Sequence, residues 1–214
     1  MALDDGKRRD FDLIVVRDGF REANSNSDGL IYLDGYITAF RELCRFFRLI
    51  GNIFSVVARD LGGKIDGLAF HRNSAKGDHY VTVQAMIDYE VSNNIISRRH
   101  PRPGCKCLLT IHRALEFILE FIQRIFDSPD DEKTSKIAAE VYERTLSKHH
   151  YWIVRQMAHL AILTLPSRRN MVNIMCKHDY NTVLTLAKEV SQAGQPVYDG
   201  IQGLYEEHDL LGIS

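Results

Sequence analysis

The chain has 214 residues, 45% hydrophobic and 26% charged, with a formal net charge of -1. That is enough chain to bury a sizeable core, and the near-neutral balance excludes bulk attraction to nucleic acid. Four cysteines are too few for a disulfide scaffold, so a reducing, cytosolic setting is expected.

The first ten residues lack the apolar core of a signal peptide. Helical spacing then dominates, and alternating β-branched runs are scarce. Residues 10–21 read as a first helix and 24–29 as a polar turn. A long helical region over 33–72 breaks near Gly51, and 79–96 forms another helix. Two prolines and a glycine make 97–104 a loop. The clearest amphipathic helix is 105–126, where Leu108, Ile111, Leu115, Ile118, Leu119, Ile122 and Ile125 share one side. Ser128, Pro129 and the acids after them read as a helix start, with the helix running to about 147. Further helices are expected over 151–165, 167–176 and 181–208, punctuated by Pro166 and Pro196. The apolar stretch near 153–165 is interrupted by Arg155, Gln156 and His159, too short and too polar to span a bilayer. No repeat or linker is visible, so 1–214 reads as one all-α domain.

Charge breaks the apolar pattern in two places. On a helix, Ile53, Val57, Asp60, Lys64 and Gly67 form one stripe. Asp60 and Lys64, one turn apart, can pair. The pair reads either as a partly exposed salt bridge or as a polar site. Gly62 and Gly63 between them would let a ligand or a helix approach closely. On 105–126, Lys106, Thr110 and Arg113 share a face that continues into Phe117 and Phe121. That stripe is either a solvated face or a polar site opening into an apolar pocket. His150, ahead of Tyr151 and Trp152, is either a cap or packed polar group, or a hydrogen-bond partner for a ligand amide. An acid–base role for Asp60 and His150 has no G-x-S-x-G, H-E-x-x-H or phosphate-binding glycine loop beside it. Cys105 and Cys107 do not face each other on a helix, so no metal site is expected near His100 and His112.

Collinear stretches along the chain carry a resemblance. They are Arg45-Phe46-Phe47 through Gly51-Asn52-Ile53-Phe54-Ser55 to Asp60 and Lys64, then Gln84-Ala85-Met86 and Ser92-Asn93. Gly104-Cys105, Leu109, His112-Arg113-Ala114-Leu115, Ser128-Pro129-Asp130 and Thr134-Ser135 follow. His150, Trp152, Val154-Arg155, Thr164-Leu165-Pro166-Ser167-Arg168 and Leu204-Tyr205-Glu206-Glu207-His208 with Leu210-Leu211 complete the set. In these the chain resembles the glycolipid transfer protein superfamily, in particular its phosphate-selective branch.

The resemblance implies a two-layer, all-helical sandwich that buries one sphingolipid, most simply ceramide 1-phosphate, without a cofactor. It implies that Asp60 accepts from the ceramide amide and a nearby hydroxyl, and that His150 donates to the amide carbonyl. Lys64 matches the phosphate branch, whereas the sugar branch has Asn there and a further Lys where this chain has Gly67. Lys106 stands where the phosphate branch has an arginine. Thr110 matches neither that branch's second arginine nor the other branch's sugar-stacking tryptophan. A phosphate monoester carries about -1.5 to -2 charges near neutral pH, so several cations should converge on it. Arg113 and, from the preceding loop, Arg99 are the candidates. Phe46, Phe54, Val57, Phe117, Leu146, Ile153 and Val154 are candidates for the apolar wall. Tyr151 and Trp152 beside Lys148 have the character of a membrane-contacting edge, although core packing of Trp152 is equally open. Docking is expected to be peripheral and transient, by a monomer. The alternative is a carrier or sensor of glycosphingolipid with the same fold.

Overall fold

The computed structural model describes residues 11–25, 29–129, 132–175 and 177–213. The opening segment, part of the 24–29 turn, residues 130 and 131, and Cys176 lie outside the described residues. Among those described, the helices in chain order are α1 Leu13–Ala23, α2 Leu33–Ile50, α3 Asn52–Arg72, α4 Val83–Ser92 and α5 Gly104–Asp127. After them come α6 Thr134–Arg144, α7 Trp152–Leu163, α8 Arg168–Met175 and α9 Tyr180–Glu207. One isolated bridge, Tyr32 to Thr82, is the nearest approach to a strand.

Local chemistry sets most boundaries. Asp12 starts α1 by accepting the Ile14 N–H at 2.9 Å. Its own N–H donates to Glu42 on α2 at 2.8 Å, tying the two helices at that end. Gly51, in extended backbone (φ 160°, ψ 171°), makes the expected break between α2 and α3. The expected helix over 79–96 is instead a 3-10 turn, Gly77–Tyr80, followed by α4. The chain between them is held extended: Val83 N–H donates to the Ile31 carbonyl and Leu33 N–H to the Val81 carbonyl. Thr82 then caps α4 through the Ala85 N–H at 3.2 Å. Ser128 closes α5 rather than opening α6, because its hydroxyl donates back to the Arg124 carbonyl at 2.6 Å. The helix expected to run to about 147 therefore starts at Thr134 and ends at Arg144. Pro196 lies inside α9 without ending it. Gly194 and Val197 on either side of it are buried, so tertiary packing outweighs the missing N–H donor.

Helix α1 packs on α2 and α9, α2 on α3 and α8, α3 on α5, and α5 on α4, α6 and α9. The α1–α2 crossing is close because of glycine. A Cβ on Gly35 would fall 2.6 Å from the Gly19 carbonyl oxygen and 2.5 Å from the Ala23 nitrogen. One apolar cluster draws on α1 to α5, α8 and α9, with Phe20, Tyr36, Phe40, Leu108 and Tyr205 at its centre. Helix α7 is the exception, with only Ala161 and Ile162 buried.

The α5–α9 contact contains a buried histidine. His112 is 1% exposed, stacks on Tyr198 at 4.5 Å and donates from Nε2 to Gln202 Oε1 at 2.8 Å. Burial pushes its pKa from 6.5 down to about 4, against the opposing pull of Gln202. The folded state thus refuses a proton that the unfolded chain accepts below pH 6.5. Stability is full above 6.5 and is lost as pH falls toward 4, by about 3 kcal/mol from this residue. Urea midpoints measured across that window should fall. In His112→Gln the fall should be shallower, and an unchanged pH dependence would assign it to other groups.

Candidate functional site

Helix α3 carries the first polar pair. Lys64 Nζ lies 2.6 Å from Asp60 Oδ1, with the lysine side chain 22% exposed and the aspartate 61%. The pair is therefore the rim salt bridge that its spacing allows. Gly62 and Gly63 do not serve close packing: a Cβ on Gly63 would meet nothing within 4 Å, and one on Gly62 only the tip of Arg48. The close approach occurs one turn later, at Gly67. A Cβ there would fall 2.9 Å from Cys107 Sγ on α5, so this glycine sets how near α5 comes to Lys64.

Helix α5 brings the second stripe alongside. Lys106, Thr110 and Arg113 are all half-buried. The Thr110 hydroxyl donates to the Lys106 carbonyl at 3.2 Å. Arg113 donates to the Leu211 carbonyl at 2.8 Å, clasping the C-terminal segment, and burial lowers its pKa. The start of α5 is fixed by a residue with no visible sequence signal, Glu90, which is fully buried. Its carboxylate accepts the Gly104 N–H at 2.6 Å and the Cys105 N–H at 3.0 Å. It also accepts the Tyr80 hydroxyl at 3.0 Å. A carboxylate suits the positive end of a helix.

His150 follows the 3-10 turn Ser147–His149. Its Nδ1 lies 2.9 Å from the Tyr142 hydroxyl; in the tautomer with the ring proton on Nε2, Nδ1 accepts from that hydroxyl and Nε2 is a donor. Burial lowers its pKa, the Asp60 carboxylate pulls it up, and Arg113 adds to the lowering. Asp60 on α3 and Arg113 on α5 are thus both within electrostatic reach of His150. Arg99 is exposed on the α4–α5 loop, as are Arg98 and Arg102. His71 Nε2 donates to the Arg102 carbonyl at 2.8 Å and anchors that loop.

An apolar cavity of about 70 Å³ lies beyond this rim, between α2, α5, α8 and the ends of α1, α3 and α7. Phe46, Phe54 and Phe117 line it, with Phe121, Ile125 and Phe126 deeper along α5. Val57, Leu146, Ile153 and Val154 are not among its lining residues. Val57, Ile153 and Val154 are 40%, 63% and 38% exposed, because the first turns of α3 and α7 stand off the core. Leu146 packs half-buried beside Ala138, Tyr142 and Ile162 instead. Tyr151 and Trp152 are exposed, at 86% and 68%, so Trp152 is not core. Lys148 is exposed beside them. The exposed apolar surface continues along α7 through Met157, Leu160 and Leu163. Among the described residues no helix is long and apolar enough to cross a membrane.

The class defined by these features is an all-helical protein with a charged rim at one end of an apolar cavity. The chain belongs to the glycolipid transfer protein family, whose family model matches residues 31–177. A rat (Rattus norvegicus) relative, ceramide-1-phosphate transfer protein, is 34% identical over 98% of this chain and 99% of its own length. The crystal structure of the mouse ceramide-1-phosphate transfer protein in its apo form superimposes with a TM-score of 0.90. It shares 34% identity over 95% of this chain and 100% of that one. The human protein in complex with 12:0 ceramide 1-phosphate gives 0.88 at 33% identity, with the same coverage. The family resemblance and the all-helical sandwich read from the sequence are thereby borne out.

Proposed function

We propose that this chain transfers ceramide 1-phosphate between membranes, without chemistry on the lipid. The observation that carries the reading is the rim: Asp60 paired with Lys64 at 2.6 Å, and Asp60 and Arg113 each within electrostatic reach of His150, in a protein whose cavity has an apolar wall. That arrangement suits an anionic head on an apolar chain. The names and bound lipid of the rat and human relatives support the same cargo. In this reading Asp60 and His150 hold the amide region, while Lys64, Lys106 and Arg113 receive the phosphate, with Arg99 reaching in from its loop. The membrane-facing edge is Tyr151, Trp152 and Lys148, extended by the exposed face of α7. Water alone makes such transfer slow, since about 0.8 kcal/mol per methylene opposes moving a chain out of a bilayer. The carrier works as a monomer in the cytosol and docks transiently.

The direct test is to purify the protein, extract bound lipid and weigh it by mass spectrometry. A mass matching ceramide 1-phosphate supports the reading, and a hexosylceramide without phosphate overturns it. Thr110 offers a graded test. An arginine there adds a charged donor to the stripe of Lys106 and Arg113, and should tighten ceramide 1-phosphate binding about tenfold. Equilibrium binding to vesicles containing the lipid measures this, and unchanged affinity would mean that position 110 faces away from the head group.

A further inference from the structure

We infer that Tyr142 is the positioning residue for His150: its hydroxyl keeps the ring proton on Nε2, the nitrogen left free for a ligand carbonyl. The inference deepens the proposed function and rests on it for the lipid. In that reading His150 must donate, and a neutral imidazole has one N–H to give. Burial holds the His150 pKa below the ordinary histidine value, so near pH 7 the ring is neutral and carries one proton. The nitrogen that bears it is set by what the other nitrogen meets.

A local turn brings the two side chains together. After α6 ends at Arg144, the Thr145 and Leu146 amides donate to the Val141 and Tyr142 carbonyls. The 3-10 turn Ser147–His149 follows, and the His150 N–H donates to the Ser147 carbonyl at 3.2 Å. Residue 150 thereby returns to residue 142, with ring centroids 5.8 Å apart. Tyr142 is itself held in place. It is 3% exposed and packs with Ala138 and Ile162. On α7, the His159 ring meets it edge-on at 5.7 Å, and Glu143 fixes that histidine at 2.8 Å.

Among the described residues the Tyr142 hydroxyl has one hydrogen-bond partner, His150 Nδ1 at 2.9 Å, and Nε2 has none. A proton on Nδ1 would reverse that bond. The ring would donate, and the hydroxyl proton of a buried tyrosine would lose its acceptor, which is costly. With the proton on Nε2, the hydroxyl donates to the Nδ1 lone pair and both groups are satisfied. Burial raises the Tyr142 pKa, so the hydroxyl stays a donor at neutral pH. A phenylalanine at 142 keeps the packing and leaves both tautomers open.

The first test needs no lipid. Long-range proton–nitrogen correlation spectra at neutral pH, with the His150 signals identified by their loss in His150→Ala, should show the unaltered protein protonated on Nε2. That spectrum decides between the two nitrogens without a Tyr142 variant, and a proton on Nδ1 overturns the inference. In Tyr142→Phe the signals should move toward those of a tautomer mixture, and unchanged signals overturn it as well. The second test reads transfer of ceramide 1-phosphate between phosphatidylcholine vesicles. Tyr142→Phe should slow it about fivefold, the scale of one hydrogen bond, with the helical CD spectrum unchanged. His150→Ala should slow it too. Tyr142→Phe added to His150→Ala should cost nothing further, because a positioning residue acts through the residue it positions. An equal second loss in the double variant would make Tyr142 merely structural and sink the inference. If the unaltered protein carries no ceramide 1-phosphate while Nε2 bears the proton, the proposed function falls and the hold of Tyr142 on the ring stands.

Discussion

Lys64→Ala is expected to abolish ceramide 1-phosphate transfer while leaving the helical CD spectrum intact. The lysine lies 2.6 Å from Asp60, whose side chain is 61% exposed, and a pair of that kind contributes about 0–1 kcal/mol to folding. Function responds differently. Removing the ammonium leaves Asp60 as an uncompensated negative charge beside the place where, in the proposed function, the phosphate arrives. Two unit charges 4 Å apart interact by about 4 kcal/mol at an effective dielectric of about 20. Turning part of that from attraction into repulsion should slow transfer by on the order of a hundredfold or more. A fluorescent vesicle-transfer assay reads the rate. Transfer at the unaltered rate would remove Lys64 from the head-group site.

The largest expected effect on stability is at Glu90. Its carboxylate is the acceptor for two N–H groups at the start of α5 and for the Tyr80 hydroxyl, all buried. Glu90→Ala strands those three donors, each worth about 1–3 kcal/mol when left unpaired. The expected loss is about 4 kcal/mol, a large share of the ~5–15 kcal/mol that holds a typical domain together. Urea unfolding followed by far-ultraviolet CD should show it. Glu90→Gln should lose less, because one acceptor oxygen remains. A loss below about 1 kcal/mol for the alanine variant would mean that α5 finds another cap. Lys106 stands one residue beyond the capped amides, so the cap also sets where the cationic stripe begins.

These two residues differ in how readable they are. Lys64 shares a stripe with Asp60 at helical spacing, and the family pattern singles it out. Glu90 is one glutamate on a short helix, and its partners lie ten to fifteen residues away across a loop. Periodicity records which face a residue takes, not which distant amide it meets. The same limit explains the cavity wall. Phe46, Phe54 and Phe117 were legible as apolar residues near the polar stripes. Val57, Ile153 and Val154 have the same composition signal, yet the first turns of α3 and α7 leave them at the surface. The contacts of Tyr142 with His150 and of Arg168 with Ser128 are likewise encoded by no local pattern. Helices fared better where a glycine acts locally, as at Gly51, although the helix expected from residue 10 starts at Leu13 behind the Asp12 cap. Ser128 was misread because a serine hydroxyl can serve the helix before it as readily as the one after it.

The cavity's small size bears on how a carrier lets go. An open void of several hundred Å³ would cost on the order of 10 kcal/mol at about 24 cal/mol per Å³, comparable with the stability of the whole domain. With only about 70 Å³ empty, the phenylalanines of α2 and α5 largely satisfy one another. A lipid tail therefore does not fill a waiting hole; it replaces contacts between wall and wall with contacts between wall and tail. The nearer those two packings lie in free energy, the more readily one cavity loads at one bilayer and empties at the next.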